Sequence, residues 1–347
     1  MNRWSMGRKL RSSSVNSMPD KHHSPVEGLL NVDKPPGLTS HDVVARIRRL
    51  TRVSRVGHAG TLDPQATGVL LVGLGRGTKL TQFLLECPKT YRASLRLGIR
   101  TDSYDAAGKV VEVRPLNELG QDQVEAVLGR FRGEIEQVPP MFSALKRQGR
   151  RLYTLARQGV DVERQPRRVQ IFRLDLLDLT AGTLRVEVEC SSGTYIRVLA
   201  DDIGTQLGCG AHLSELVRTA IGPFTLEGAL TLPALEEAVR QGNWHHHVHA
   251  LSAAVKGFPS LVITGAAAKA LAHGTAPTRQ GVCERIGTFA AGETVAVLDQ
   301  NGTLLAMASP LCSAAALDTV PAGAPVLSLR RVLTAEGGSA NAPDGRP

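Results

Sequence analysis

The sequence predicts an α+β fold built on a central, mostly antiparallel sheet. Residues 91–97 and 184–190 alternate apolar with polar or charged side chains, which is typical of strands with one buried face. Residues 124–131 and 196–203 instead place their apolar side chains at helical spacing. Strands and helices therefore mix, but without the regular β–α–β alternation or the GxGxxG turn of a dinucleotide-binding domain.

The other elements of the first half follow in chain order. Residues 29–32 are predicted to form a short strand, and residues 69–72 a buried one. Between them, Thr39 or Ser40 can cap a helix, because a side-chain oxygen there accepts hydrogen bonds from the first turn. Residues 78–85 are predicted to be helical. The apolar face of the capped helix consists of Val43, Val44, Ile47 and Leu50.

The amino-acid composition of the chain changes near residue 232. The His-rich residues 241–256 indicate a linker, and residues 257–333 predict a small β-barrel with a hairpin turn at Asn301-Gly302. The predicted organisation is a basic disordered tail at 1–24, a main domain at 25–240, the linker, the β-barrel module and a disordered tail at 334–347.

Length and charge limit the classes of function. The 347 residues are enough for two domains, and the net charge of +9 predicts a polyanionic partner without choosing among RNA, DNA and an acidic membrane surface. No apolar run reaches membrane-spanning length, and the first 24 residues, at +4, lack the apolar segment of a secretory signal. Five cysteines without a CxxC pair argue against a disulfide framework and structural zinc, so we expect a reducing, cytoplasmic setting.

One loop stands out as a candidate active site. Residues 56–71, VGHAGTLDPQATGVLL, place a single carboxylate, Asp63, between a glycine-rich turn and an apolar strand, and Pro64 fixes the backbone just after it. Rigid loops at strand ends are where active-site residues are usually presented. Taken alone, however, an Asp-Pro pair more commonly initiates a turn.

Five further segments decide between these interpretations of the loop. In chain order they are GLLNVDKPPGLTS, KTYRASLRLGIRTDSYDAAG, PPMFSALKRQGRRLYTLARQG, CSSGTYIRVLADDIG and LSELVRTAIGPF. Together with the loop, they resemble the motifs of the TruB family of bacterial tRNA pseudouridine synthases, over residues 27–232. The resemblance implies that Asp63 is the nucleophile, that Tyr91 lies against the target base and that Arg197 pairs with Asp63. It also implies that the C-terminal module is an RNA-binding domain of the PUA type.

The resemblance implies substrate-binding roles for other residues. His58 would fill the gap left by a flipped nucleotide, Asp105 would lie near the site and Tyr195 would line the pocket. Lys34 would support the catalytic loop or meet the substrate, and Arg218 belongs to the last core motif. Without the resemblance, His58 is a solvated loop histidine, and Asp105 and Lys34 are ordinary turn residues.

A basic insertion at 139–173 is the predicted RNA-gripping segment. Residues 146–173 contain nine basic residues against two acidic ones, with apolar residues between them that can dock one side while the cations meet phosphates. The residues expected to bind RNA are Lys146, Arg147, Arg150 and Arg151. The histidines at 245–249 lack acidic or thiolate partners at site spacing, so we expect no metal site there.

The chemistry implied by the resemblance is the isomerisation of uridine to pseudouridine. The N-glycosidic bond breaks, the base turns and C5 bonds to the same sugar carbon, without redox change, so no metal or organic cofactor is expected. A carboxylate can bond covalently to either the base or the sugar, and the sequence leaves that choice open.

Alternative functions remain open at the level of sequence. A base-releasing nucleoside hydrolase or glycosidase would use Asp105 as a second carboxylate. A non-catalytic RNA-binding or RNA-folding protein and a guide-RNA-directed enzyme are the other two, although the long insertion argues for a stand-alone enzyme. The expected substrate is uridine 55 in the T loop of tRNA, and a side role in tRNA folding is compatible with the same surfaces. We expect a monomer with the tRNA T arm as partner, no obligate protein partner and no membrane.

Overall fold

The computed structural model describes residues 26–334, except 144–145, 148–149, 152–157, 159, 161 and 181. The predicted tail at 1–24 lies outside the described residues. The predicted tail at 334–347 also lies outside them, except for Thr334. Within the described part, the main domain contains the following strands: β1 (Gly28–Lys34), β2 (Val56–Ala59), β3 (Thr67–Leu74), β4 (Lys89–Leu97), β5 (Ile99–Thr101), β6 (Val110–Val113), β7 (Gly133–Gln137), β8 (Lys146–Arg147), β9 (Arg150–Arg151), β10 (Arg167–Thr180), β11 (Thr183–Cys190), β12 (Ala211–Ile221), β13 (Phe224–Thr225) and β14 (Leu230–Thr231).

These strands build one large mixed sheet in the order β14-β1-β3-β12-β4-β11-β10-β7, with β2 paired to β3 and β13 to β12. Only the β1–β14 and β3–β12 pairs of this sheet are parallel within the described residues. The predicted α+β fold with a mostly antiparallel sheet is therefore confirmed. The hairpins β5–β6 and β8–β9 stand outside the sheet. Among the described residues, the main domain has the α-helices α1 (Ser40–Thr51), α2 (Thr81–Leu84), α3 (Gln121–Gly129), α4 (Ile196–Gln206) and α5 (Leu232–Arg240).

Helix α1 begins where the sequence predicts a cap. Thr39 Oγ1 accepts a hydrogen bond from the Asp42 amide at 3.1 Å, and Asp42 Oδ2 accepts one from the Thr39 amide at 2.9 Å, which forms a capping box. The helix then buries Val43, Val44 and Ile47 against the sheet. The cap matters for function because it places the first turn of α1 directly beside the loop that carries Asp63.

The two faces of β3 contact different parts of the molecule. Successive strand residues point to opposite sides, so Leu70 and Val72 pack with α1 and α5, whereas Val69 and Leu71 face the other way. A separate core lies between β4, β11 and β12 on one side and α3 and α4 on the other. Helix α4 therefore lies against the strands that carry Tyr91 and Arg218.

The C-terminal module has its own five-stranded sheet. Its elements are β15 (Ser260–Ile263), α6 (Gly265–Ala272), β16 (Val282–Ile286), β17 (Val295–Leu298), β18 (Leu304–Pro310) and β19 (Leu327–Val332), with strand order β16-β15-β17-β18-β19. The predicted hairpin joins β17 to β18, and Gly302 adopts a φ of 76° in its turn. The sheet encloses a core of its own.

The segment 241–256, which the sequence predicts as a linker, is packed along both parts of the chain. The His249 amide donates to the Leu29 carbonyl at 2.8 Å, and the Leu29 amide donates to the His249 carbonyl at 3.0 Å. Ala254 and Val255 are buried in a core shared by the two parts. That core contains Leu29, Val69, Leu71, Phe83, Leu84 and Phe224 from the main domain and Ala296, Leu304, Met307 and Leu333 from the module.

Candidate active site

The Asp63 loop is fixed by hydrogen bonds to the segment between β1 and α1. Ser40 Oγ accepts from the Leu62 amide at 2.9 Å, and the Gly37 amide donates to the Pro64 carbonyl at 2.9 Å. A turn closes where the Ala66 amide donates to the Asp63 carbonyl at 3.1 Å. The loop is thus held on both sides of the carboxylate.

Lys34 completes this attachment from inside the protein. Its ammonium donates to the carbonyls of Pro35 at 3.0 Å, Leu38 at 2.7 Å and Pro64 at 3.0 Å, and the residue has no exposed surface. Burial lowers the pKa of Lys34 to about 8, although the neighbouring Asp63 carboxylate opposes the shift. Of the two roles expected for Lys34, support of the catalytic loop agrees with these contacts, whereas contact with a substrate does not, because the side chain is fully buried.

Arg197 lies in the first turn of α4 and connects two carboxylates. Its Nη1 is 3.4 Å from Asp63 Oδ2 and 3.2 Å from Asp105 Oδ2, and its Nη2 donates to the Phe142 carbonyl at 2.7 Å. The Arg197 side chain is 8% exposed, whereas that of Asp63 is 49% exposed. A buried cation therefore holds an acid that remains open to solvent.

Asp105 is bound on both of its carboxylate oxygens. Oδ1 accepts from Ser103 Oγ at 2.6 Å and from the Ala107 amide at 3.0 Å, and Oδ2 faces Arg197. The preceding Tyr104 adopts a φ of 66°, a left-handed conformation that costs a residue with a side chain about 1 kcal/mol or more. This strained turn directs Asp105 toward Arg197.

Tyr91 and Arg218 lie opposite each other in β4 and β12. The Arg218 guanidinium donates to the Val69 carbonyl at 2.7 Å and to the Gly60 carbonyl at 3.1 Å. Burial raises the pKa of Tyr91, so its hydroxyl stays neutral. Arg218 is 1% exposed, which corrects its predicted substrate-binding role: it connects Tyr91 to the backbone before and after Asp63.

Gly68 is required by the close approach of β3 and β12 at this point. Its φ is 97°, and a Cβ there would lie 2.2 Å from the Arg218 carbonyl oxygen. Any larger residue would push β12, and with it Arg218, away from the Asp63 loop.

His58 and Tyr195 lie at the margins of the site. His58, in β2, is half-buried, and its Nδ1 is buried without a hydrogen-bond partner among the described residues. Burial, followed by the nearby His41 and Arg218, keeps the pKa of His58 below its ordinary value, so the ring is neutral at neutral pH. The Tyr195 ring centroid is 5.8 Å from the Arg197 guanidinium carbon, a cation–π contact.

A cavity of about 470 Å³ opens beside the two carboxylate loops. Gln65 and Thr67 contribute from the Asp63 side, and Ala106 and Ala107 from the Asp105 side. Strand β12 forms the remaining wall with Ser214, Glu215, Leu216 and Val217. The size falls within the range of small-ligand pockets.

The predicted RNA-binding residues of the insertion form a short hairpin. Lys146 pairs with Arg151 and Arg147 with Arg150 as β8 and β9, and the side chains of these four residues lie outside the described part of the structure. In the part that is described, no cluster of three or more His, Cys, Asp or Glu residues is arranged to hold a metal ion. None of the described helices combines the length and the apolar character of a membrane span.

Two supporting residues were missed by the sequence analysis. Ser40 contacts the Asp63 loop, and it was considered only as a helix cap. Gln137 exchanges hydrogen bonds with the Tyr195 backbone at 3.0 and 3.3 Å and so fixes the start of α4. The position of Ser40 in the KPPGLTS motif was a usable signal, whereas nothing local to Gln137 indicates its role.

Comparisons with known proteins find relatives over most of the chain. The chain matches the models of the TruB family pseudouridylate synthase N-terminal domain at residues 48–196, the tRNA pseudouridylate synthase B C-terminal domain at 197–262 and the PUA domain at 259–333. A tRNA pseudouridine synthase B from Syntrophotalea carbinolica is 44% identical over 80% of this chain and 90% of its own length. The same enzyme from Geobacter sulfurreducens is 44% identical over 85% and 97%.

Solved structures show the same fold. One in a Cbf5-Nop10-Gar1 complex aligns with a TM-score of 0.75 and 29% identity, over 88% of this chain and 85% of that one. Another, an H/ACA RNP bound to a substrate RNA containing 2'-deoxyuridine, aligns with a TM-score of 0.73 and 26% identity over 89% and 86%. With its domain order, its relatives and its fold in agreement, the chain belongs to the TruB family and is a pseudouridine synthase, an isomerase.

Proposed function

We propose that this protein isomerises uridine 55 in the T loop of tRNA, with Asp63 as the nucleophile and without a cofactor. The observation that carries the proposal is the pairing of a half-exposed carboxylate with a buried arginine on a clamped loop. The tRNA substrate is supported by the curated relatives, which bear the name tRNA pseudouridine synthase B.

The reaction needs one group that forms and releases a covalent bond. The Asp63 carboxylate attacks either the base or the sugar, the bond between N1 and C1′ breaks, and a bond between C5 and C1′ replaces it. The proton that leaves C5 is balanced by the proton that N1 gains. No electrons are exchanged and no atom of a cofactor is transferred, so side chains suffice.

Arg197 orients the nucleophile. Its Nη1 holds Asp63 Oδ2, and its own position is fixed by Asp105 and the Phe142 carbonyl. One carboxylate oxygen of Asp63 is therefore occupied and the other is left to react. A planar guanidinium with several N–H donors can make all of these contacts at once, which an ammonium group cannot.

The target base must leave its stack to reach Asp63. We assign Tyr91 to pack against the extruded base, with Arg218 opposite it in β12. The neutral His58 ring occupies the space that the flipped nucleotide leaves, and Tyr195 lines the pocket beside Arg197. The cavity next to Asp63 and Asp105 receives nucleotides adjacent to the target.

Recognition of tRNA is assigned to the insertion and the C-terminal module. The β8–β9 hairpin carries four basic residues in two facing pairs, which suits contact with phosphates. The module matches a PUA domain and is fixed to the main domain through a shared core. The hairpin and the module therefore contribute to tRNA affinity without contacting the atoms that react.

The hydrolase and the guide-RNA alternatives are less well supported. A glycosidase needs one of its two carboxyl groups as a proton donor, whereas both oxygens of Asp105 already accept hydrogen bonds. The curated tRNA pseudouridine synthases share more identity with this chain than the Cbf5 chain does, 44% against 29%. We therefore favour a stand-alone enzyme that binds its own substrate.

The deciding experiment is incubation with an unmodified tRNA transcript, followed by carbodiimide mapping of pseudouridine. We expect one new stop of reverse transcription, which reports pseudouridine at position 55. A transcript that carries cytidine at position 55 should give no such stop. Free uracil in the product would support the hydrolase instead. A stop at another position would overturn the assignment to the T loop.

A further inference from the structure

Three exposed arginines follow one another around the C-terminal end of α1. We name Arg49, Arg52 and Arg55 the arginine patch; all three are exposed. Among the described residues, no carboxylate lies within 4.0 Å of their guanidinium groups. By contrast, Arg46 on the same helix is paired with Glu236 at 2.6 Å. The patch thus holds uncompensated positive charge that the proposed mechanism does not use.

Arg52 has an unfavourable backbone conformation. It caps α1 with a φ of 58° and ψ of 15°, a left-handed conformation in which glycine is the usual residue. Among the described residues other than glycine, only Tyr104 also has a positive φ, and it precedes Asp105 at the active site. Backbone strain of this kind is concentrated at active sites, ligand clamps and switch regions.

Helix stability alone does not account for the patch. Cations near the C-terminal end of a helix interact favourably with its dipole. Arg48 and Arg49 both lie in the last turn, and Arg48 Nη2 also donates to the Val56 carbonyl at 3.0 Å, so the dipole does not require Arg52 or Arg55. Arg55 lies beyond the helix, and a glycine at 52 would cap α1 without strain.

The patch lies away from the reacting atoms. Ser40 contacts the Asp63 loop, and Arg49 and Arg52 are nine and twelve residues further along, about 14 to 18 Å at 1.5 Å per helical residue. Helix α1 packs on the side of β3 opposite to the shared core that fixes the module. Arg55 nevertheless lies close to the module, because its carbonyl accepts from the Gly75 amide and the adjacent Arg76 donates to the Leu333 carbonyl.

The basic N-terminal residues join the chain at the same place. The Arg55 carbonyl accepts from the Gly75 amide at 2.9 Å, and a Cβ on Gly75 would contact Val26 and Glu27. Residues 1–24, with a net charge of +4, are therefore attached to the described chain close to Arg55.

We propose that the arginine patch binds the phosphate backbone of tRNA outside the T arm. This inference rests on the proposed function and adds a second region of the same substrate. Arginine suits phosphate contacts because its charge is permanent and its donors form a planar fork. Each phosphate contact releases counterions, so the contribution depends on salt concentration.

The first test compares two double variants of equal charge on two substrates. Arg49→Gln with Arg55→Gln removes two patch cations, and Arg130→Gln with Arg185→Gln removes one exposed cation just after α3 and one from β11. For full-length tRNA, we expect the patch variant to raise KM with kcat unchanged and to reduce the log–log salt slope by about 0.7 to 0.9 for each phosphate group that is no longer neutralised. The control variant should leave both unchanged.

The second substrate, a T-arm hairpin, distinguishes RNA binding outside the T arm from RNA binding within it. Equal KM for wild type and patch variant on the hairpin, together with the defect on full-length tRNA, supports the proposal. A defect of the same size on both substrates would place the binding within the T arm and overturn it, as would no defect on either. Failure of the proposed function is distinguishable, because the wild-type protein would then form no pseudouridine in the hairpin.

Arg52→Gly gives an independent measurement. It relieves the strained cap, so we expect an unchanged or higher melting temperature together with weaker binding of full-length tRNA. If Arg52 only stabilised the helix, its replacement would not combine an unchanged or higher melting temperature with weaker tRNA binding. A lower melting temperature with unchanged binding would assign Arg52 to the helix alone and overturn its place in the patch.

Discussion

Arg197 holds Asp63 from a buried position, with 3.4 Å between Nη1 and Oδ2, while the acid itself remains half exposed. An unpaired arginine in this position would carry a large desolvation cost. Asp105 and the Phe142 carbonyl offset that cost and leave Arg197 with a single orientation. The Asp63 carboxylate is therefore held in one orientation while it stays accessible to solvent.

Replacing Asp63 with Asn is expected to abolish pseudouridine formation, because the amide keeps the size of the side chain and lacks its nucleophilicity. Affinity for tRNA should stay within a few-fold, since the side chain lies at the reacting centre. Single-turnover assays and filter binding measure the two effects. Activity above about a hundredth of wild type, set against the roughly 10⁶-fold or larger accelerations of enzymes, would exclude Asp63 as the nucleophile.

Arg197→Lys should reduce kcat severely with little change in tRNA binding. The ammonium keeps the charge but cannot contact Asp63, Asp105 and the Phe142 carbonyl together. Arg100→Lys is the matched control, because Arg100 also binds a carboxylate through two nitrogens, that of Asp201 at 2.8 and 3.0 Å, away from Asp63. Similar kcat values for the two variants would mean that Arg197 acts only through general stability.

The basic hairpin is expected to bind phosphates. Neutralising Arg147, Arg150 and Arg151 together should weaken tRNA binding and lower the log–log salt slope by about 0.7 to 0.9 for each phosphate group that these arginines neutralise. Binding measured across a salt series tests this. An unchanged slope would show that the hairpin never meets RNA.

Lys34 is expected to give activity an alkaline limit near pH 8. Its pKa falls from 10.5 to about 8 on folding, so the folded protein loses the proton first as the pH rises. Between these values the unfolded chain binds more protons, and this group therefore raises the free energy of unfolding as pH increases. Activity should move the other way, because a neutral amine has too few N–H donors for three carbonyls.

A pair of buried lysines provides the control for this prediction. Burial also lowers the pKa of Lys89 to about 8, but its ammonium donates to the Leu85 and Cys87 carbonyls rather than to the Asp63 loop. The alkaline limb of the kcat profile should disappear in Lys34→Met and persist in Lys89→Met. Disappearance of the limb in Lys89→Met alone would show that Lys34 is not its source.

Removal of the module after residue 256 is expected to destabilise the main domain. The composition of the C-terminal sequence, taken alone, favours a separable module whose removal would only raise KM. The shared core changes that expectation, because Leu29 and Phe83 would become exposed, at about 1.5 to 3 kcal/mol for each large apolar side chain. Denaturant unfolding of the truncated chain measures the difference, and unchanged stability would show that the module is independent.

A milder variant separates stability from chemistry. Met307→Ala in the full chain should lower the free energy of unfolding by about 2 to 5 kcal/mol, since Met307 is fully buried in the shared core. The kcat at a temperature where the variant stays folded should match wild type. A large fall in kcat would mean that the module shapes the active site.

Local features of the sequence were sufficient for several of the elements and for the principal site residues. The alternation at 91–97, the cap at Thr39 and the glycine-rich turn before Asp63 depend on neighbours within a few residues, where backbone geometry and side-chain period decide the outcome. Motif resemblance then brought Asp63 and Arg197 together, as the structure places them.

Strand order, register and burial belong to the tertiary structure. Lys34 and Arg218 are indistinguishable from surface cations in their motifs, and they become internal supports only because β1, β3, β4 and β12 lie side by side. The contact of Asp105 with Arg197 and the core shared with the module arise in the same way. Such contacts join residues that are distant in the chain, so they depend on how whole elements pack, which no local pattern encodes.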